Sequence, residues 1–160
     1  MSEGGLTKLD ERVVQLWTHR GLLAVAGIAA AVIGAVVVTF VADGPLLVVL
    51  LAGVVVLAPP LWFALWFPKR LYSHWAYRLD EIAVELVHGS IIRKRSVIPY
   101  FRVQHVDTQR GPLERPLGLA RLKIHTASSG TDATIPGLDD DTATALRAAI
   151  VSRAGLGDGV

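Results

Sequence analysis

The sequence predicts a membrane protein: a two-helix transmembrane hairpin followed by a cytoplasmic β-rich domain that ends in one α-helix. Three observations carry that prediction. Of 160 residues, 52% are hydrophobic and only 19% charged, whereas soluble domains carry about 25% charge. The excess is concentrated in two blocks, residues 21–42 and 45–67, neither of which holds an Asp, Glu, Lys, Arg or His. From His74 onward the apolar runs give way to alternation with period two. This pattern excludes a wholly soluble chain and a disordered one. The absence of cysteine excludes a disulfide framework, a thiolate metal site and a Cys nucleophile. Residues 68–160 are enough for one small domain, with no room for a large enzyme.

Residues 1–20 read as a cytoplasmic N-terminal arm. At 1.5 Å per residue the first apolar block makes a helix of about 33 Å and the second one of about 35 Å, each matching a hydrocarbon core of about 30 Å. Asp43 and Gly44 are the whole link, and Pro45 opens the second helix where its missing N–H costs nothing. Lys8, Arg12 and Arg20 precede the first span and Lys69, Arg70 and Arg78 follow the second, with no Lys or Arg between. The positive-inside rule therefore places both termini in the cytoplasm of a plasma-membrane protein. Trp17, Trp62, Trp66 and Tyr72, with Lys69 and Arg70, are the expected membrane-interface residues on that side. Gly27, Ala30, Ala31 and Gly34 form a small-residue ridge expected to pack against the second span, with an intermolecular contact as the alternative. Pro59 and Pro60 predict a bend. With no charge inside either block, an ion pathway has no candidate residue.

The domain, residues 72–154, begins with Trp75, Tyr77 and Leu79 alternating with polar neighbours. After Asp80 and Glu81, Ile82, Val84 and Leu86 continue the pattern. Residues 90–98 predict a third strand and 101–109 a fourth, and 111–118, with two prolines, a loop or short helical turn. Residues 119–126 place Ala120, Leu122 and Ile124 on one face and Arg121, Lys123 and His125 on the other. Ser128 to Gly130 predict a turn into a last strand at 131–135. Asp139 to Asp141 predict the N-terminus of a helix with Ala143, Leu146, Ala149 and Ile150 on its apolar face, closed by Arg153 and Gly155. Residues 155–160 read as a flexible tail.

Four ordered motifs, IPYFRVQHV at 98–106, GPLERPLGL at 111–119, LKIHTA at 122–127 and IPGL at 135–138, resemble the YdbS-like bacterial membrane proteins. The resemblance runs from about Trp17 to the final helix. It implies a two-helix hairpin followed by a bacterial pleckstrin-homology (PH) domain, with two packed antiparallel sheets and a C-terminal helix. It does not imply an activity, because this fold hosts lipid binders, peptide binders and scaffolds alike. Phosphoinositide-binding members use basic residues around the loop joining the first two strands. Here that loop is Asp80-Glu81, which argues against inositol-phosphate recognition.

Charge within the domain is uneven. Residues 88–125 carry eight cations against Asp107 and Glu114, while 126–160 carry Arg147 and Arg153 against five aspartates. The candidate partner- or lipid-binding residues are Arg93, Lys94, Arg95, Arg102, Gln104, Arg115, Arg121 and Lys123. They read either as a patch attracted to anionic lipid or as solvated strand faces. Arg102 and Gln104 are expected on one strand face, and Arg102 and Arg115 are expected to brace the Pro-flanked loop through its carbonyls. No catalytic residue, metal or cofactor is expected: His19, His74, His88, His105 and His125 show no metal-ligand spacing, and no Ser sits in a nucleophile elbow. Gly155, Gly157 and Gly159 lack the preceding strand and following helix of a phosphate loop. Nucleic acid is also disfavoured. The sequence thus predicts a non-enzymatic, membrane-anchored module that binds a protein partner or itself. The alternatives are an anionic-lipid or membrane-stress sensor and an accessory subunit of a transporter or enzyme complex.

Overall fold

The computed structural model describes residues 5–90, 92–127 and 132–156. They divide into two compact units, Val14–Lys69 and Met1–Val13 with Arg70–Val160.

The first unit is the body of a helical hairpin. Helices α1 (Arg12–Val41) and α2 (Leu46–Ser73) are each long and apolar enough to cross a membrane. Both extend beyond the uncharged blocks, because Arg and Lys side chains at the ends continue a helix without cost. Large apolar side chains such as Val38, Phe40, Leu47 and Val55 lie exposed along both, as lipid-facing surface requires and a soluble core helix does not. The link turns tightly, with Asp43 at φ 50° and the Gly44 amide donating to Thr39 O at 2.9 Å. Pro45 lies one residue before α2, and its carbonyl accepts from Val48 at 3.0 Å. The helix runs on through Pro59, Pro60 and Pro68.

The small-residue ridge does not make the close contact inside the hairpin. A Cβ added at Gly27 or Gly34 would meet nothing within 4 Å. The backbones approach instead at Gly21, where a Cβ would come within 2.8 Å of Ala64 Cβ, and at Gly53, 2.7 Å from Val32 Cγ1. Spacing along α1 marks a ridge but not which side of the helix meets the partner.

In the second unit six strands form two three-stranded antiparallel sheets, β1 (Ala76–Leu79), β2 (Ala83–His88) and β3 (Lys94–Pro99) in one, β4 (Val103–Gln109), β5 (Leu119–Thr126) and β6 (Ala133–Asp139) in the other, each in sequence order. The third strand begins at Lys94 rather than at residue 90, after a turn containing Gly89 at φ 108°. Tyr100–Arg102 form a 3-10 turn before β4, and Arg115–Leu117 form a second within the Pro-flanked loop. The predicted turn at 128–130 lies outside the described residues. The alternation of β5 holds, with Leu122 and Ile124 buried. That of β2 does not: Ala83, Val84, Glu85 and Leu86 are all buried, while Ile82 lies outside the strand and exposed. Helix α3 (Asp140–Arg153) packs on β4, β5 and β6 through Ala143, Leu146 and Ile150. Asp139 caps it, accepting from Thr142 N at 2.9 Å.

The arm is an integral part of this unit. Thr7 and Tyr77 exchange backbone bonds of 2.8 and 2.9 Å along the outer edge of β1, and Asp10 N donates to Gly137 O on β6 at 2.9 Å. Leu9 and Val13 are buried, each worth about 1.5–3 kcal/mol when removed from water. Tyr72 Oη donates to Leu9 O at 3.2 Å, so this predicted interface residue ties the end of α2 to the arm.

Where β5 pairs with β6 the register shifts, so that Pro136 and Gly137 oppose one residue of β5. Gly137 adopts φ 60°, and a Cβ there would lie 2.3 Å from Val13 Cγ2. Gly137→Ala therefore meets both a left-handed backbone and the arm. A loss of about 2 kcal/mol or more is expected, read as a lower midpoint when the detergent-solubilised full chain is unfolded, with Gly155→Ala, which meets nothing within 4 Å, as the milder comparison.

Candidate partner-binding surface

Three of the eight cations in the basic segment, Arg95, Arg110 and Arg121, are paired with carboxylates of the domain. Arg95 on β3 and Arg78 on β1 both reach Glu85 on the central strand between them, Arg78 at 2.5 Å. Only 4% of the Glu85 side chain is exposed, and the two guanidiniums satisfy a carboxylate that otherwise would not tolerate burial. Arg121 Nη2 pairs with Glu114 Oε1 at 2.6 Å, and Arg110 pairs with Asp140 at the start of α3. Arg95 and Arg121 are therefore structural. Among the described residues, Arg93, Lys94, Arg102, Arg115 and Lys123 remain exposed or half-exposed outside any ion pair.

Bracing of the Pro-flanked loop falls to other residues than Arg102 and Arg115. Glu114 accepts from Gly111 N at 2.5 Å and from Arg121, while Arg12 reaches across 105 positions to donate to Leu117 O at 3.0 Å. Arg102 sits in the 3-10 turn with its guanidinium 5.8 Å from the Phe101 ring centroid. It does not share a strand face with Gln104, and a bulge between Val103 and His105 separates the turn from regular β4 pairing. Spacing along the chain could reveal neither.

Strand edges sort the surface further. β1 is covered by Thr7, β6 accepts from Asp10, and β4 accepts from Arg147 Nε of α3 at Val106 O, 3.1 Å. Apart from its pairing with β2, no backbone bond reaches β3 among the described residues. Around that edge Val97, Ile82 and Phe101 are 58%, 80% and 80% exposed. The turn between β1 and β2 is closed by Arg153 of α3 and by Tyr100: Arg153 Nη1 and Tyr100 Oη both donate to Asp80 O, at 3.0 and 2.9 Å.

The family described as Bacterial PH domain matches residues 21–154. The chain belongs to that family. It is also similar to the transmembrane protein YdbS of Bacillus subtilis (strain 168), 39% identical over 83 residues, which are 52% of this chain and 51% of the relative. The chain thus spans about half the length of that curated relative. No solved structure matches it. It is a membrane protein carrying a bacterial PH domain.

A groove of about 230 Å³ in the PH domain unit is lined by Leu6 and Lys8 of the arm, by Ser73, His74 and Trp75, and by Arg93. Trp75 stacks on His88 with centroids 4.9 Å apart, and burial, aided by Lys94, lowers the His88 pKa. The groove thus gathers two cations, Lys8 of the arm and Arg93 of the turn before β3, beside the Trp75 indole. The predicted interface residues Trp62 and Trp66 stack one turn apart at 5.2 Å and are exposed, as are Lys69 and Arg70, while Trp17 is half-buried.

The Arg95 hydrogen bond, with Arg78 beside it, holds the Glu85 carboxyl below the usual carboxylate range against the upward push of burial. With the folded-state value below the unfolded one, this stabilisation is complete above the ordinary carboxylate range and is lost as pH falls through the depressed value. Thermal unfolding of the full chain is expected to show an acid limb there. Glu85→Gln should lower the Tm at neutral pH and flatten part of that limb.

Proposed function

We propose that this protein is a non-enzymatic binding module, held by its hairpin at the cytoplasmic face of the bacterial plasma membrane, which takes an extended protein segment onto the free edge of β3. The segment comes from a partner or from a second copy of the chain. The observation that carries this reading is the contrast between edges among the described residues: β1, β4 and β6 each receive a bond from elsewhere in the domain, and β3 is left open beside Val97, Ile82 and Phe101. An open strand edge supplies main-chain donors and acceptors, and apolar side chains beside it supply affinity. Orientation rests on Lys8, Arg12 and Arg20 before the hairpin and Lys69, Arg70 and Arg78 after it, with no Lys or Arg between.

The groove favours a second reading, an anionic lipid headgroup held by Lys8 and Arg93. Cations near an anionic surface contribute about 1 kcal/mol each. Lys94 and Lys123 add to that attraction; Arg95 and Arg121 do not, being engaged by Glu85 and Glu114.

A photo-crosslinking residue at Phe101 in native membranes should give a discrete product that Val97→Lys removes, and the same probe at Ala148 on α3 should give none. A chain that stays monomeric at all concentrations in detergent and yields no product would sink the edge reading. For the lipid reading, Lys8→Glu with Arg93→Glu should abolish salt-sensitive retention of phosphatidylglycerol by the solubilised full chain. Equal retention by wild type and variant counts against it.

A further inference from the structure

Strand pairing assembles a donor set that no spacing along the chain announces. His105 and Asp107 lie two apart on β4 and share its outer face, and His125 on β5 stands directly opposite His105. Their rings stack at 4.2 Å with 19° between planes. Both Nε2 atoms turn to the same oxygen, Asp107 Oδ2, at 3.6 Å from His105 and 3.7 Å from His125. These separations are too long for hydrogen bonds. They are close to the roughly 3.4 Å that separates nitrogen and oxygen ligands around one tetrahedral zinc-sized ion, given bonds near 2.0–2.2 Å. One ligand atom from each of the three residues falls within 4.8 Å of the others.

A second carboxylate prepares the site. His125 Nδ1 lies 2.9 Å from Asp132 Oδ2, and Asp132 Oδ1 accepts from Thr126 N at 3.0 Å. Donation from Nδ1 to a fixed carboxylate leaves the Nε2 lone pair of His125 free to face Asp107. This is the outer-shell arrangement that orients metal-bound imidazoles. The bulge between Val103 and His105 turns His105 onto this face while Val106 points into the core.

We propose that His105, Asp107 and His125 bind one divalent transition-metal ion of the zinc class, with Asp132 positioning His125. Two imidazoles and one carboxylate suit such an ion and leave a coordination position open to water or to a donor atom from a bound partner. Lys123 stands opposite Asp107 in the register and adds an unfavourable charge on this face. Magnesium, which demands oxygen ligands, is a poor match.

Untagged, chelator-treated full chain in detergent is titrated with Zn2+ alone by calorimetry, with Co2+ absorption as the spectroscopic readout. One equivalent should bind saturably, Mg2+ should not compete, and bound Co2+ should show the visible bands of a site with nitrogen ligands. His105→Gln and His125→Gln should each weaken binding at least tenfold, and Asp132→Asn by 10–100-fold. Lys123→Met should tighten it. His105 is exposed, so His105→Gln keeps the fold, and Zn2+ should raise the Tm of wild type but not of this variant. The proposal is overturned if Zn2+ uptake is not saturable at one per chain, or if neither histidine variant changes it.

Discussion

Backbone groups at the edge of a sheet must bond to something, and the whole domain is arranged around how that demand is met. Two three-stranded sheets have four edges. A handful of residues ahead of the first apolar helix serves two of them, Thr7 at β1 and Asp10 at β6, and Leu9 of that stretch and Val13 in the first turn of α1 enter the core. Gly137 has no side chain because Val13 occupies that space. Arg12, one residue into α1, closes the Pro-flanked loop through Leu117. Remove the arm and the two sheets lose a shared strap, the loop loses a donor, and the edges of β1 and β6 join that of β3, open among the described residues, to make three.

The basic character of residues 88–125 looks different once partners are assigned. A sequence count treats eight cations as equivalent. In the fold, Arg95 and Arg121 are committed to carboxylates almost wholly withdrawn from water, Glu85 and Glu114, and Arg110 to Asp140. Such pairs are specified by geometry and are costly to break from one side. The cations left for an outside ligand are fewer: Arg93 and Lys94 at the turn entering β3, Arg102 and Arg115 in the two 3-10 turns, and Lys123 on β5.

Much of this architecture was legible in the residues. The two uncharged blocks, the period of β5, the Asp139 cap and the apolar face of α3 depend on neighbours three or four positions away at most, and local rules read them well. The ordered motifs carried the fold family. Features missed depend on pairing across the chain. Nothing local says that Glu85 is buried, since its two partners come from different strands. The three donors at 105, 107 and 125 become neighbours only when β4 and β5 register, and the Gly27 ridge faces away from its expected partner because spacing sets a stripe without setting the helix rotation.

The position of the arm has a consequence for the order of events during synthesis. In sequence, the pair of apolar helices is an insertion between residues 13 and 70 of a single globular unit. The arm precedes both apolar segments, yet the strands it must join, β1 and β6, emerge from the ribosome only after them. Leu9 and Val13 therefore wait, unburied, through membrane insertion, and the domain closes as a knot is tied, with the first end brought back to the last.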